Sequence, residues 1–128
     1  MGIPGDAVET STSFFWLDDG IVHIQRKETP ATAETTAHGI DIIRGLIGEV
    51  PRPLLIKSGW AGGIGLEVWP TALSAVDPLL SAIAVVGEFE SAELDAFRPI
   101  INQLLVPFQV FTDESEALAF LREYLPGE

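Results

Sequence analysis

Apolar positions along this chain follow two rhythms, an alternation of period two and a helical spacing of three to four. Ser13-Phe14-Phe15-Trp16-Leu17 and Ile21-Val22-His23-Ile24-Gln25-Arg26 are rich in aromatic and β-branched residues and predict two strands. Asp18-Asp19-Gly20 lies between them, and Asp-Gly accommodates the positive φ angles of a tight hairpin turn. In the second strand Val22, Ile24 and Arg26 share one face, while Ile21, His23 and Gln25 share the other.

The spacing then changes. Thr29 or Thr32 can cap a helix that runs to about Gly48, with Ala33, Ala37, Ile40, Ile43 and Ile47 forming its apolar stripe. Gly39 lies inside that helix, where Gly costs up to ~1 kcal/mol relative to Ala, so close packing is expected there. Pro51 and Pro53 end the connection, and Leu54-Leu55-Ile56-Lys57-Ser58 reads as a strand buried on both faces. Gly59-Trp60-Ala61-Gly62-Gly63-Ile64-Gly65 is a glycine-rich loop leading into a helical stretch from about Leu66 to Val76, kinked or restarted at Pro70.

Ala82 to Val86 predicts a further buried strand, followed by a helix striped with Leu94, Phe97, Ile101 and Leu104 and delayed or bent at Pro99. Phe108-Gln109-Val110-Phe111 is the last strand. Asp113 with Glu116 forms a capping box for a final helix, whose buried face is Ala117, Phe120, Leu121 and Tyr124, and Pro126-Gly127 stops it. Strands alternating with helices after an opening hairpin predict an α/β fold, a mixed sheet of about five strands with helices packed against it. At 128 residues, a single domain over 13–128 is expected, preceded by a flexible segment over 1–12.

Composition narrows the function classes. Hydrophobic residues make up 47% of the chain and mean hydropathy is +0.30, ample for one buried core. Seven basic residues against nineteen acidic ones give a net charge of −12. Nucleic-acid binding depends on Lys and Arg displacing counterions, and an anionic membrane would repel this chain. The acid balance favours a basic protein partner. Without cysteine there is no disulfide, thiol or iron–sulfur chemistry. No apolar run reaches the roughly 20 residues of a membrane span, and Met1 to Asp6 lacks the pattern of a signal peptide, so a cytoplasmic location is expected.

The element order, with Leu54-Leu55-Ile56 leading into Gly63-Ile64-Gly65-Leu66 and Val110-Phe111-Thr112-Asp113-Glu114 entering a helix with Glu116-Ala117-Leu118, resembles the STAS domains of anti-sigma factor antagonists. It is most similar to a divergent group of small, stand-alone actinobacterial STAS-like proteins, over about Phe14 to Leu125. The resemblance implies a non-catalytic regulatory module that docks a protein partner or a second copy of itself. In that family an Asp-Ser-Ser-Gly-Leu-Gly loop offers a serine for phosphorylation. Here Trp60, Ala61 and Gly62 stand where Asp-Ser-Ser would be, so the phosphoacceptor is missing, and Ser58 is placed at the strand end.

The candidate binding surface is therefore Ser58, Trp60, Gly62, Gly63, Ile64 and Gly65. Backbone amides at a helix N-terminus can hold an anion, and ligands in open α/β sheets favour the carboxyl ends of strands. The same small residues also suit close packing of a helix on the sheet. No Lys-Ser/Thr follows the glycines, so this is not a P-loop, and no cofactor motif is present. Trp60 reads as an interface anchor and Trp69 as core or rim packing. Lys57 is expected to pair with a carboxylate, with an anionic ligand as the alternative. His23 and His38 are expected at the surface and lack metal-ligand spacing. The carboxylates of Glu88–Glu90 and Asp113–Glu116 read as loop and helix-cap charges, and no nucleophile elbow or Ser–His–Asp set is evident, so no enzymatic activity is expected. A small-molecule or lipid carrier is the alternative function, and it would require an enclosed cavity.

Overall fold

The computed structural model describes residues 3–27, 33–58, 80–87, 95, 98, 99 and 106–125. Strand β2 (Ser13–Asp18) and strand β3 (Ile21–Arg26) form the opening hairpin. Asp19 and Gly20 both have positive φ, 54° and 79°, as the two central residues of a tight hairpin require. Their register pairs Asp18 with Ile21 and runs outward to Ser13 with Arg26. A Cβ on Gly20 would lie 2.9 Å from Leu125 Cδ2, so a side chain there would have to displace that leucine methyl as well as hold a left-handed backbone.

One strand precedes the hairpin. Strand β1 (Val8–Glu9) pairs antiparallel with β2, Val8 opposite Phe15, inside the stretch expected to fray. It is held by the chain reversal after it: Thr10 Oγ1 accepts from the backbone N–H groups of Thr12 (3.2 Å) and Ser13 (3.1 Å). Lys27 Nζ closes the corner, donating to Glu9 Oε2 and to the Thr10 carbonyl, each at 2.7 Å.

Helix α1 (Ala33–Ile47) carries the chain from β3 to strand β4 (Arg52–Ser58), which lies parallel to β3. Parallel neighbours need such a crossover. Strand β5 (Leu80–Val86) and strand β6 (Phe108–Phe111) continue the parallel set, and helix α2 (Glu114–Arg122) follows β6. Among the described residues six strands stand across the sheet in chain order, so the architecture is α/β, a mixed sheet with helices α1 and α2 packed against it. The count among the described residues is six strands rather than five because of β1. Strand β4 starts two residues earlier than expected and takes in Pro53. A register shift between Arg52 and Pro53 accommodates that proline, which has no N–H for the ladder. The helix expected over 66–76 lies outside the described residues. Of the one expected after β5, only Asp95, Arg98 and Pro99 are described; all three are helical, and Arg98 Nη2 lies 3.5 Å from Asp95 Oδ1.

Alternation along each strand divides the core in two. On the α1 side Phe15, Val22, Ile24, Leu54, Ile56, Ile83 and Val85 pack with Ile43 and Ile47. Of the stripe expected on α1, Ile40 is half-buried, while Ala37 is exposed because it falls at the margin of the apolar arc. Gly39 is buried against β2, and a Cβ there would stand 3.2 Å from Phe15 Cζ, so the close packing expected at this glycine is present. On the opposite side Ile21, Leu55, Ala82 and Ala84 pack with Ala117 and Leu121 of α2. The two β5 alanines leave room for the helix to sit close to the sheet. The Phe111, Phe120 and Tyr124 rings meet in tilted contacts along its β6 edge, with centroids 5.5 and 5.3 Å apart, and Ser81 Oγ donates to the Tyr124 carbonyl at 2.8 Å. Among the described residues no helix is long and apolar enough to cross a membrane.

Two glycines of α1 should respond oppositely to a side chain. Gly39→Val forces methyls into the Phe15 ring and is expected to lower unfolding free energy by about 1–3 kcal/mol. Gly45→Ala meets nothing within 4 Å and should raise it by up to ~1 kcal/mol through helix propensity. Urea unfolding of the two variants beside the parent checks both; equal effects would refute the packing described.

Candidate functional site

Counting outward from the Asp19-Gly20 turn, the third residue on each side is Trp16 and His23, and they stand opposite each other. Strand alternation puts both on the face of α2, together with Phe14, Gln25, Leu55 and Lys57. The Trp16 and His23 rings stack with centroids 5.1 Å apart and planes within 13° of parallel. Both are withdrawn from solvent, Trp16 at 7% exposure and His23 at 5%.

Lys57 joins this stack to the helix. It is the penultimate residue of β4, in register with Gln25, and its ammonium lies 4.9 Å from the centroid of the Trp16 ring. From there it reaches Glu114 Oε1, at 3.4 Å. Glu114 is the first residue of α2, so one side chain links β2, β4 and the helix start. The Lys57 side chain is 18% exposed and that of Glu114 45%, so the ion pair sits at a rim open to water on one side only. A cation over an indole face is worth about 0.5–1 kcal/mol where water still competes. Lys27 repeats the arrangement at smaller scale, 4.6 Å from the Phe14 ring centroid.

The helix start itself is closed by its own sequence. Asp113 has an extended backbone, and its Oδ1 accepts from Ser115 N at 3.1 Å. Asp113 thus caps the helix, as its half of the expected Asp113/Glu116 box, but on the second helical N–H rather than the third. Glu114 and Glu116 occupy the first turn, where the helix dipole favours negative charge.

His23 carries the most unusual environment. Its Nδ1 is buried and has no hydrogen-bond partner among the described residues. Burial pushes the imidazole below its ordinary pKa, and the ammonium of Lys57 pushes it further, with Asp18 and Glu114 pulling part of the way back. The ring is therefore neutral near pH 7. The expectation that both histidines are at the surface is corrected here: His38 is exposed on α1, but His23 is core, because its strand phase puts it between Trp16 and Leu55. On the other face Arg26 Nη1 donates to the Thr12 carbonyl and to Ser13 Oγ, both at 3.0 Å, tying β3 to the end of the β1–β2 reversal.

Of the residues singled out from sequence, Ser58 ends β4 in register with Arg26, beside Lys57 at the carboxyl end of the parallel strands. Trp60, Gly62, Gly63, Ile64 and Gly65 lie outside the described residues, as do Trp69 and Glu88–Glu90. Lys57 pairs with a carboxylate, as expected. The Trp16–His23–Lys57 group was not anticipated, although the two-residue turn contains the signal: once its length is known, Trp16 must face His23. Among the described residues no three His, Asp or Glu side chains gather closely enough to hold a metal ion. Comparison of the chain with protein-family models and with curated proteins gives no match.

The lowered His23 pKa carries a sign for stability. Below the ordinary value of 6.5 the unfolded chain binds a proton that the folded chain resists. The contribution of this group is therefore full above that value and is lost as pH falls toward the folded midpoint. Ring-proton NMR should place His23 below 6.5, and His23→Phe, which keeps a ring on Trp16, should flatten the fall in stability over that window. A His23 midpoint at or above 6.5 would contradict the burial described.

Proposed function

We propose that the chain is a non-catalytic interaction module, of the kind its resemblance to STAS domains implies, docking a protein partner at the carboxyl end of its parallel strands. The observation that supports this most is the Trp16–Lys57–Glu114 junction. It fixes the end of β4 and the start of α2 to each other at the rim from which the glycine-rich segment 59–65 departs. A rigid rim is a suitable base for docking, since little order has to be imposed on binding.

The chemistry of the rim points to the kind of partner. Asp113, Glu114, Ser115 and Glu116 are all exposed at the start of α2, on a chain of net charge −12. Such a surface steers a basic protein toward it and repels a second copy of itself. The partner is thus a different chain rich in Lys or Arg at its contact surface.

Native mass spectrometry of the protein taken from its own host tests this. The expected result is an added protein-sized mass that dissociates as salt is raised, with affinity weakened roughly three- to tenfold by Glu116→Lys. A small added mass would favour the carrier reading instead. Bare monomer at every ionic strength would overturn docking.

A further inference from the structure

His23 is a buried titratable group that docking does not use. It sits on the central part of β3 with no acceptor at Nδ1, stacked on Trp16, while Lys57 already places one cation against the same indole. We propose that His23 is a proton-operated latch on α2: its protonation drives Lys57 off the Trp16 ring and away from Glu114, and so loosens the first turn of the helix. This goes beyond the docking reading and does not rest on it, since the device lies within the free chain.

Four groups decide the outcome, one or more from each described element around the ring. Trp16 and Asp18 come from the α2-facing side of β2, Lys57 from β4 and Glu114 from α2. In the neutral ring Nδ1 is buried with no partner, whichever nitrogen carries the proton. In the imidazolium it is an N–H donor, still buried and without an acceptor, on a ring that now repels Lys57. Something must move.

His23 is held on a strand between two neighbours and is 5% exposed, so it is the least mobile member. Lys57 has a flexible four-carbon stem and an open side to the rim, so it leaves toward water. Its departure strips Glu114 of that partner. The ion pair joining β4 to the first turn of α2 is then gone. The remaining attachments of the helix, Ala117 and Leu121 on the sheet and Ser81 to Tyr124, lie farther along it and stay in place. The loosening is therefore confined to the rim end.

The test follows the free chain by NMR from about pH 7.5 to about pH 5, above the ordinary titration of carboxylates. The His23 ring, the Trp16 indole N–H and the Lys57 side-chain methylene are expected to shift with one shared midpoint. Over that midpoint the protection of the Ala117 amide, which donates to the Asp113 carbonyl at 3.2 Å, should fall at least roughly fivefold after correction for intrinsic exchange. In His23→Phe that protection should stay flat. In Lys57→Met the His23 midpoint should rise and the helix step disappear, which keeps the proposal open to refutation if the phenylalanine variant does not fold. The latch is overturned if His23 stays neutral across the range. It is equally overturned if His23 titrates while Lys57 and α2 do not respond, or if α2 loses protection to the same extent in His23→Phe.

Discussion

The phase of the opening hairpin is the constraint on which the rest of the molecule depends. Asp19 and Gly20 both take left-handed backbone angles, which permits a two-residue connection and no other register for β2 and β3. A slip of one residue would exchange every side chain between the faces of the sheet. Phe15 would leave Gly39, and Trp16 would leave His23. The sharp turn is also enclosed, since Leu125 beyond α2 packs against Gly20, so the opening hairpin and the end of the last helix meet at that point.

From that register the two faces acquire different characters. The α1 face is filled by branched aliphatic residues together with the Phe15 and Phe108 rings. The α2 face is small and apolar over β5, where the helix lies on Ala82 and Ala84, and becomes aromatic and charged over β2 and β3. Lys57 stands at the border between these regions and serves both, through the Trp16 ring and the Glu114 carboxylate. A polar joint of this kind is kept at the carboxyl ends of the strands, which is also where open α/β sheets expose their binding surfaces.

Much of this was legible from residue order alone, because the signals were local. The Asp-Gly turn, the alternation of β3, the helix ending near Gly48, the four residues of β6 and the Asp113 cap each depend on neighbours in sequence. What escaped had other causes. Strand β1 is two residues long, too short to show alternation, and exists because Thr10 and Lys27 fold the chain back. The early start of β4 was hidden by Pro53, whose missing N–H matters less at a register shift than in a regular ladder. The burial of His23 requires knowing that Trp16 lies across from it and that α2 comes over the same face, a tertiary fact. Lys57 could be expected to find a carboxylate on a chain with nineteen of them, but choosing Glu114 required the helix to be in place.

The central claim is that Trp16, His23, Lys57 and Glu114 act as one unit rather than as neighbours by chance. A double-mutant cycle between Trp16→Leu and Lys57→Met, read by urea unfolding at pH 7.5 or about that value, measures it most directly. A coupling energy of about 0.5–1 kcal/mol is predicted, the worth of a partly screened cation over an indole. Strict additivity of the two substitutions would show that Lys57 does not rest on Trp16 in solution, and would contradict the account of the site built on that contact.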